Sequence, residues 1–227
     1  MRFKKPLFWD YKKISFWSFL LFPFSIIYLS IIWIIKIFSA FKTYDKPTIP
    51  VICVGNIYLG GTGKTPLVKE IYYITKSLGK NPSIIKKNYD YLSDEIKMLK
   101  DIGETYTKHK RIKSISLSIF NKHDVAILDD GFQDFSIKPD FSILCFNSKQ
   151  MIGNGLIIPS GPLREKLNAI SRADCIVING HKNSEFEQKL FKIIGNKKLH
   201  LFYSKYKIKN IEKFKNKEIT AFAGIGN

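Results

Sequence analysis

Apolar positions fall along this chain in one long unbroken segment followed by a series of short ones. Residues 14–35 run for 22 positions without a charged side chain and are rich in Phe, Ile, Leu and Trp. As one helix this run would be about 33 Å long, enough to cross a hydrocarbon core. Beyond it come short, largely β-branched runs of buried-strand length, at residues 49–54, 82–86, 125–128, 140–146 and 173–178. Between them, residues 67–78 place apolar side chains at helical spacing and stop at Gly79, and residues 94–102 predict a short helix. Residues 111–120 fit a helix or a strand equally well. Lys42 to Pro50, with two prolines, reads as a linker, and no internal repeat is present. Apolar strands alternating with helical stretches predict an α/β fold, a parallel sheet with helices on both faces.

The turn between the first strand and the first helix carries the strongest chemical signal: Gly55-Asn-Ile-Tyr-Leu-Gly60-Gly61-Thr62-Gly63-Lys64-Thr65-Pro66. A strand, a glycine-rich loop, Gly-Lys-Thr and a helix make a phosphate-binding loop. Its backbone N–H groups turn inward around an oligophosphate, and the positive end of the helix faces the same anion. Residues Leu59, Gly60, Gly61, Thr62, Gly63, Lys64, Thr65 and Pro66 form the predicted nucleotide cradle. Lys64 would reach the β/γ-phosphates of ATP, and the Thr65 hydroxyl would hold Mg²⁺. The first glycine of the usual G-x-x-x-x-G-K-[ST] pattern is replaced here by Tyr58. The expected fold is therefore P-loop NTPase-like.

A second signal lies downstream, where Val125-Ala-Ile-Leu runs into Asp129-Asp130-Gly131. A carboxylate at the end of a strand beside the P-loop strand is what positions Mg²⁺ or its waters, so Asp129 is a candidate metal ligand. Asn121-Lys-His-Asp124 matches a guanine-reading pattern but precedes its strand, at the end away from any ligand crevice, so the match is accidental. The Gly/Pro-rich stretch from Gly153 to Glu165 reads as a loop opening a helix and brings Arg164, whose planar fork suits a phosphate or a carboxylate.

Charge changes the picture in one respect. Lys and Arg outnumber Asp and Glu by 37 to 19, giving a net charge of +18, which implies an anionic partner. The basic residues are dispersed, with no dense block resembling a nucleic-acid arm, so no nucleic-acid partner is expected. The long apolar segment exceeds a signal-peptide core and no small-x-small cleavage site follows, so it predicts a membrane anchor. Five basic residues precede the run, and Lys36, Lys42 and Lys46 follow it. Those flanks favour a cytosolic N-terminus, whereas a site for ATP requires everything after residue 40 in the cytosol. Pro23, inside the run, permits a kinked or in-plane helix that leaves both ends on one side. Cys53, Cys145 and Cys175 sit singly inside apolar runs and are expected to be buried and inert, and the four histidines lack metal-ligand spacing.

Taken in order, Gly55-Asn-Ile, Gly60-Gly-Thr-Gly-Lys-Thr-Pro66, Asp129-Asp-Gly-Phe-Gln133, Gly153-Asn-Gly, Gly161-Pro-Leu-Arg-Glu165 and Ala221-Phe-Ala-Gly-Ile-Gly-Asn227 resemble the tetraacyldisaccharide 4'-kinase family, the membrane-bound lipid A 4'-kinases of Gram-negative bacteria. The resemblance runs over the whole chain. It implies ATP-dependent phosphorylation of the 4'-hydroxyl of a tetraacylated glucosamine disaccharide 1-phosphate, with ATP and Mg²⁺, at the cytosolic face of the inner membrane. It also implies an acylated disaccharide lipid and the membrane as partners. Asp94 matches the family's catalytic acid, with Lys64 and Asp130 as further catalytic residues and Glu95 beside Thr65 and Asp129 at the metal. Gln133, Asn154, Arg164 and Glu165 would position substrate or phosphate.

The chain departs from the family's pattern at several places. Its Ser-Arg-Gly-Tyr is here Lys86-Lys87-Asn88-Tyr89, its Gly-Asp-Glu-Pro is Ser93-Asp-Glu-Ile96, and the His that ends its Asp-Asp-Gly-x-Gln-His is Asp134. The family continues well beyond the segment matching Ala221 to Asn227, including a His that partners the catalytic Asp. The expected organisation is thus an anchoring segment over 1–42, a P-loop kinase domain over 43–205, and over 206–227 the start of a smaller second α/β domain. A membrane-tethered P-loop NTPase, or a nucleotide-binding fragment without transfer activity, are the competing readings.

Overall fold

A computed structural model of the chain describes residues 5–11, 13–41, 46–88, 93–195, 197–207 and 212. Seven parallel strands form one sheet: β1 (Val51–Gly55), β2 (Pro82–Lys87), β3 (Thr105–Lys108), β4 (Val125–Asp129), β5 (Phe141–Asn147), β6 (Cys175–Asn179) and β7 (His200–Ser204). Their order is β3-β2-β4-β1-β5-β6-β7. β4 and β5 flank β1 on opposite sides, so the chain switches its direction of strand addition there, and a crevice opens at the carboxyl ends of β1 and β4. The five predicted strands are all present. The two edge strands were not foreseen, because Thr105–Lys108 is half-buried and polar and β7 alternates exposed and partly buried side chains.

Side chains alternate across the sheet and build two cores. Val51, Cys53, Ala126, Leu128, Leu144 and Ile176 face one side, packed under α5 (Arg111–Phe120) and α6 (Ser184–Ile194) through Ile115, Phe186 and Leu190. Val54, Ile84, Ile127, Ile143 and Cys145 face the other, covered by α3 (Lys64–Ser77) and α4 (Ser93–Lys100) through Val68, Tyr72 and Leu99. Residues 111–120 are thus a helix: Ser114, Ile115 and Ser118 share its buried face at helical spacing. The three cysteines are buried and free, and burial pushes their thiols up, Cys53 to about 12 and Cys175 to about 11.

The long apolar run is not one helix. α1 (Phe16–Leu20) begins on a Ser15 side-chain cap and ends at Leu21, and α2 (Phe22–Ala40) follows directly. Pro23 stands in the first turn of α2, where a helix has no use for its missing N–H, so it starts a helix rather than kinking one. The stretch expected to open a helix after Gly161 leads instead into a 3₁₀ turn at Leu167–Arg172. The expected second domain, with the motif from Ala221 to Asn227, lies outside the described residues apart from 206, 207 and 212.

Candidate active site

Gly55 ends β1 against Phe132, whose Cβ leaves no space for a side chain there: an added Cβ would sit 2.4 Å away. The loop that follows is organised from within by Asn56, whose amide donates to the carbonyl of Tyr58 and to Thr62 Oγ1 at 3.0 Å. Gly63 caps α3 in the left-handed region (φ 85°), which aims the first turn of the helix into the crevice. Tyr58, where a glycine is usual, does not take the positive φ that favours one. It bridges Leu163, and its ring is fully buried, with its hydroxyl held by Lys5 and Asp10.

Across the crevice, β4 delivers Asp129 and Asp130. Asp129 is fully buried, and the Thr65 hydroxyl lies 3.5 Å from its Oδ2. Asp130 has a positive φ of 57°, an uncommon conformation for a residue with a side chain and one found at functional sites. Its carboxylate receives both of its close bonds from Arg164 Nη1, at 2.9 and 3.1 Å, with Lys64 Nζ at 3.7 Å. Burial pushes this carboxyl up, but Lys64 and Arg164 outweigh it and hold the pKa at about 2. The P-loop lysine thus faces an acid that an incoming polyphosphate would displace.

The segment from Gly153 to Glu165 clamps the front of the P-loop. Leu59 N donates to Pro162 O at 2.8 Å and Arg164 N to Ile57 O at 2.7 Å. Gln133 donates to Asn56 O at 2.8 Å and to Glu165 Oε1 at 3.2 Å, and accepts from Arg164. Asn154 braces the loop, donating to Ser18 Oγ and Ser160 O. Glu165 is buried, its carboxylate paired with Lys36 at 2.9 Å and Arg172 at 2.7 Å. Asp94 lies exposed in the first turn of α4, and its neighbour Glu95 accepts from Lys86 Nζ at 2.6 Å.

Of the residues singled out from sequence, Leu59 to Pro66, Asp129, Asp130, Gln133 and Arg164 gather at one crevice, whereas Asn154 and Glu165 hold the loop behind it. Three participants were not foreseen. Lys86 is buried against Asp129. Burial pulls its ammonium toward neutrality, but Asp129 and Glu95 together outweigh it and raise its pKa. Arg111 donates to the carbonyl of Asp130 at 2.8 Å and to Asp134 at 2.8 Å, which satisfies that acid. Lys36 joins α2 to the site.

The donor set fits Mg²⁺. Asp129 Oδ1 is buried without a hydrogen-bond partner, the Thr65 hydroxyl is near, and hard oxygens are what this ion takes. Among the described residues no group of three or more His, Cys, Asp or Glu is arranged to cage a metal.

The family model for tetraacyldisaccharide-1-P 4'-kinase matches residues 17–101 and 91–227. A tetraacyldisaccharide 4'-kinase of Pelagibacter ubique is 43% identical over 230 residues, covering 100% of this chain and 71% of that protein. One from Colwellia psychrerythraea is 33% identical over 159 residues, covering 62% of this chain and 46% of its own length. A crystal structure of LpxK from Aquifex aeolicus in complex with ATP superposes with a TM-score of 0.63 at 21% identity, covering 92% of this chain and 86% of that one. Sheet, motif order and relatives agree: the chain belongs to the tetraacyldisaccharide 4'-kinase family.

Proposed function

We propose that the chain transfers the γ-phosphate of ATP to the 4'-hydroxyl of a tetraacylated glucosamine disaccharide 1-phosphate, in lipid A biosynthesis. The reaction takes place at the cytosolic face of the inner membrane of a Gram-negative bacterium. The observation that carries this reading is the joining of a P-loop site to an apolar helix through shared residues. Tyr28 of α2 donates to the carbonyl of Arg164, and Lys36 of α2 pairs with Glu165, next to the arginine that holds Asp130.

In this reading the backbone N–H groups of Gly61, Gly63, Lys64 and Thr65 cradle the phosphates. Lys64 leaves Asp130 for the β/γ-phosphates as ATP binds, and Arg164 keeps the Asp130 carboxylate in place. Thr65 and Asp129 would hold Mg²⁺, which when bound neutralises charge on the β- and γ-phosphate oxygens. Asp94 accepts the proton of the attacking hydroxyl, and Gln133 and Arg164 fix the wall of the crevice. Most of the rate enhancement in such a transfer comes from holding the hydroxyl in line with the γ-phosphate.

The anchor reading rests on α2. Its window Phe22–Ser39 is long and apolar enough to cross a membrane, and only 6% of it is buried in the protein. Yet Ser25, Tyr28 and Lys36 all touch the loop of residues 157–165, so α2 lies along the domain for about 16 Å. These contacts support a helix that meets the membrane from one side with the domain beside it.

The test is the full chain with γ-labelled ATP and the disaccharide lipid in vesicles. Label on the lipid at the 4'-position is expected, with ATP consumption that depends on lipid. Equal ATP hydrolysis with and without lipid, and no labelled lipid, would replace the kinase by a tethered NTPase.

A further inference from the structure

The penultimate residue of β2 is Lys86, which is buried at 4% exposure. Parallel register sets it directly beside Asp129. Its ammonium lies 2.7 Å from Asp129 Oδ2 and 2.6 Å from Glu95 Oε2. The two acceptors come from different elements, one from the carboxyl end of β4 and the other from the first turn of α4. α4 has eight residues, too few to hold itself together without tertiary contacts. Leu99, fully buried, fastens its far end. At its near end, where Asp94 sits, the Glu95–Lys86 bond fastens it to the sheet.

We propose that Lys86 is a positioning residue for phosphoryl transfer: by bridging Asp129 and Glu95 it fixes the first turn of α4, and with it Asp94, over the end of β4 beside the P-loop. The catalytic consequence rests on the reading of Asp94 as proton acceptor. The mechanical part does not. Glu95, expected from the family resemblance at the metal, acts in this account as the far end of the tether. The bridge also leaves Asp129 divided, with Oδ2 held by the ammonium and Oδ1 free of hydrogen bonds.

A double-mutant cycle on the full chain separates this role from simple neutralisation of a buried acid. Glu95→Ala removes the tether while Lys86 remains to compensate Asp129, so this variant should fold. Lys86→Met removes both functions, and Lys86→Arg restores a cation. The first readout is hydrogen exchange at the amides of Lys97 and Met98, whose bonds close the first turn of α4. The second is kcat for lipid phosphorylation set against KM for ATP. Glu95→Ala should speed exchange at those amides and lower kcat, each roughly 10- to 100-fold, the worth of a charge-assisted hydrogen bond. KM for ATP should change less than about threefold, because the cradle of α3 is untouched. In the Lys86→Met background, Glu95→Ala should add almost nothing, and Lys86→Arg should recover part of kcat. Unchanged exchange in Glu95→Ala, or independent additive effects of the two substitutions, would overturn the proposal. If the wild type transferred no phosphate, the kinase reading would fail while the exchange cycle still decided whether the tether exists.

Discussion

α2 and α3 follow one another along the chain on either side of β1, and they bury opposite chemistry. α3 turns Val68, Tyr72 and Thr75 onto the sheet and leaves Lys69, Glu70 and Lys76 in water. α2 turns Ser25, Tyr28 and Lys36 onto the domain and leaves Phe24, Ile27, Ile31, Trp33 and Phe38 exposed. In water the second arrangement is unfavourable, since each of those side chains forgoes about 1.5–3 kcal/mol of burial. It becomes sensible when the outer medium is hydrocarbon. The polar stripe then satisfies itself on the protein, as Ser25 does on the carbonyl of Ile157 at 2.9 Å, and the apolar face meets lipid. In the proposed reading the difference separates labour as well as chemistry: α3 and its loop would hold the nucleotide, and α2 would hold the site to its substrate's surface.

That separation can be broken by substitution. The largest effect is expected for Asp94→Asn, which should lower kcat about 10²–10⁴-fold with ATP affinity and membrane partition unchanged. A variant with wild-type kcat would remove Asp94 from the mechanism. Lys64→Ala, at the head of α3, should lower transfer by about 10²–10³-fold and weaken ATP binding, again without releasing the protein from membranes. Retained ATP affinity, read with a fluorescent nucleotide, would contradict the P-loop assignment. On the other helix the pattern should invert. Replacing Ile27, Ile31 and Trp33 together by serine should weaken vesicle partition about 10²-fold, by losing apolar contact with lipid, while ATP affinity holds. Vesicle flotation that matches the wild type would mean that the basic surface does the anchoring. The smallest effect is expected where the helices communicate. Lys36→Met leaves Glu165 with Arg172, so transfer should fall by no more than about fivefold, in line with the modest worth of a part-exposed ion pair. A loss as large as that of Lys64→Ala would place Lys36 in the chemistry itself.

The same contrast shows what could be read from the chain alone. α3 was legible because its apolar positions recur at helical spacing after a glycine-rich turn, and the strands of the sheet centre because they are buried on both faces and so nearly uniformly apolar. The edges were not legible: β3 and β7 meet the sheet on one side only, and their sequences carry no continuous apolar signal. Pro23 signalled an interruption of the apolar run, but its position at Leu21 could not be read from hydropathy because α1 and α2 are both apolar. In the crevice, the residues that face phosphate were visible as motifs, since their spacing is set by one loop and one strand end. Lys86, Arg111 and Lys36 were not, because each reaches the site from a different element, and only the sheet order brings them there. Asn154 and Glu165 were visible but with a different part to play. They brace the loop that clamps the P-loop, and their side chains are used up in doing so.

Whether α2 turns its apolar face to lipid can be read from the fluorescence of Trp33 in protein bound to vesicles with brominated acyl chains. The Trp33 signal is the emission of Trp17→Phe less that of the Trp17→Phe, Trp33→Phe double variant, which retains Trp9 alone. The account predicts that this signal is quenched by the bromines and shielded from aqueous acrylamide, while buried Trp9, bonded to the carbonyl of Pro159, responds to neither. Trp33 emission open to acrylamide and untouched by brominated lipid would contradict it, and would return α2 to the surface of the protein as a helix with no membrane to face.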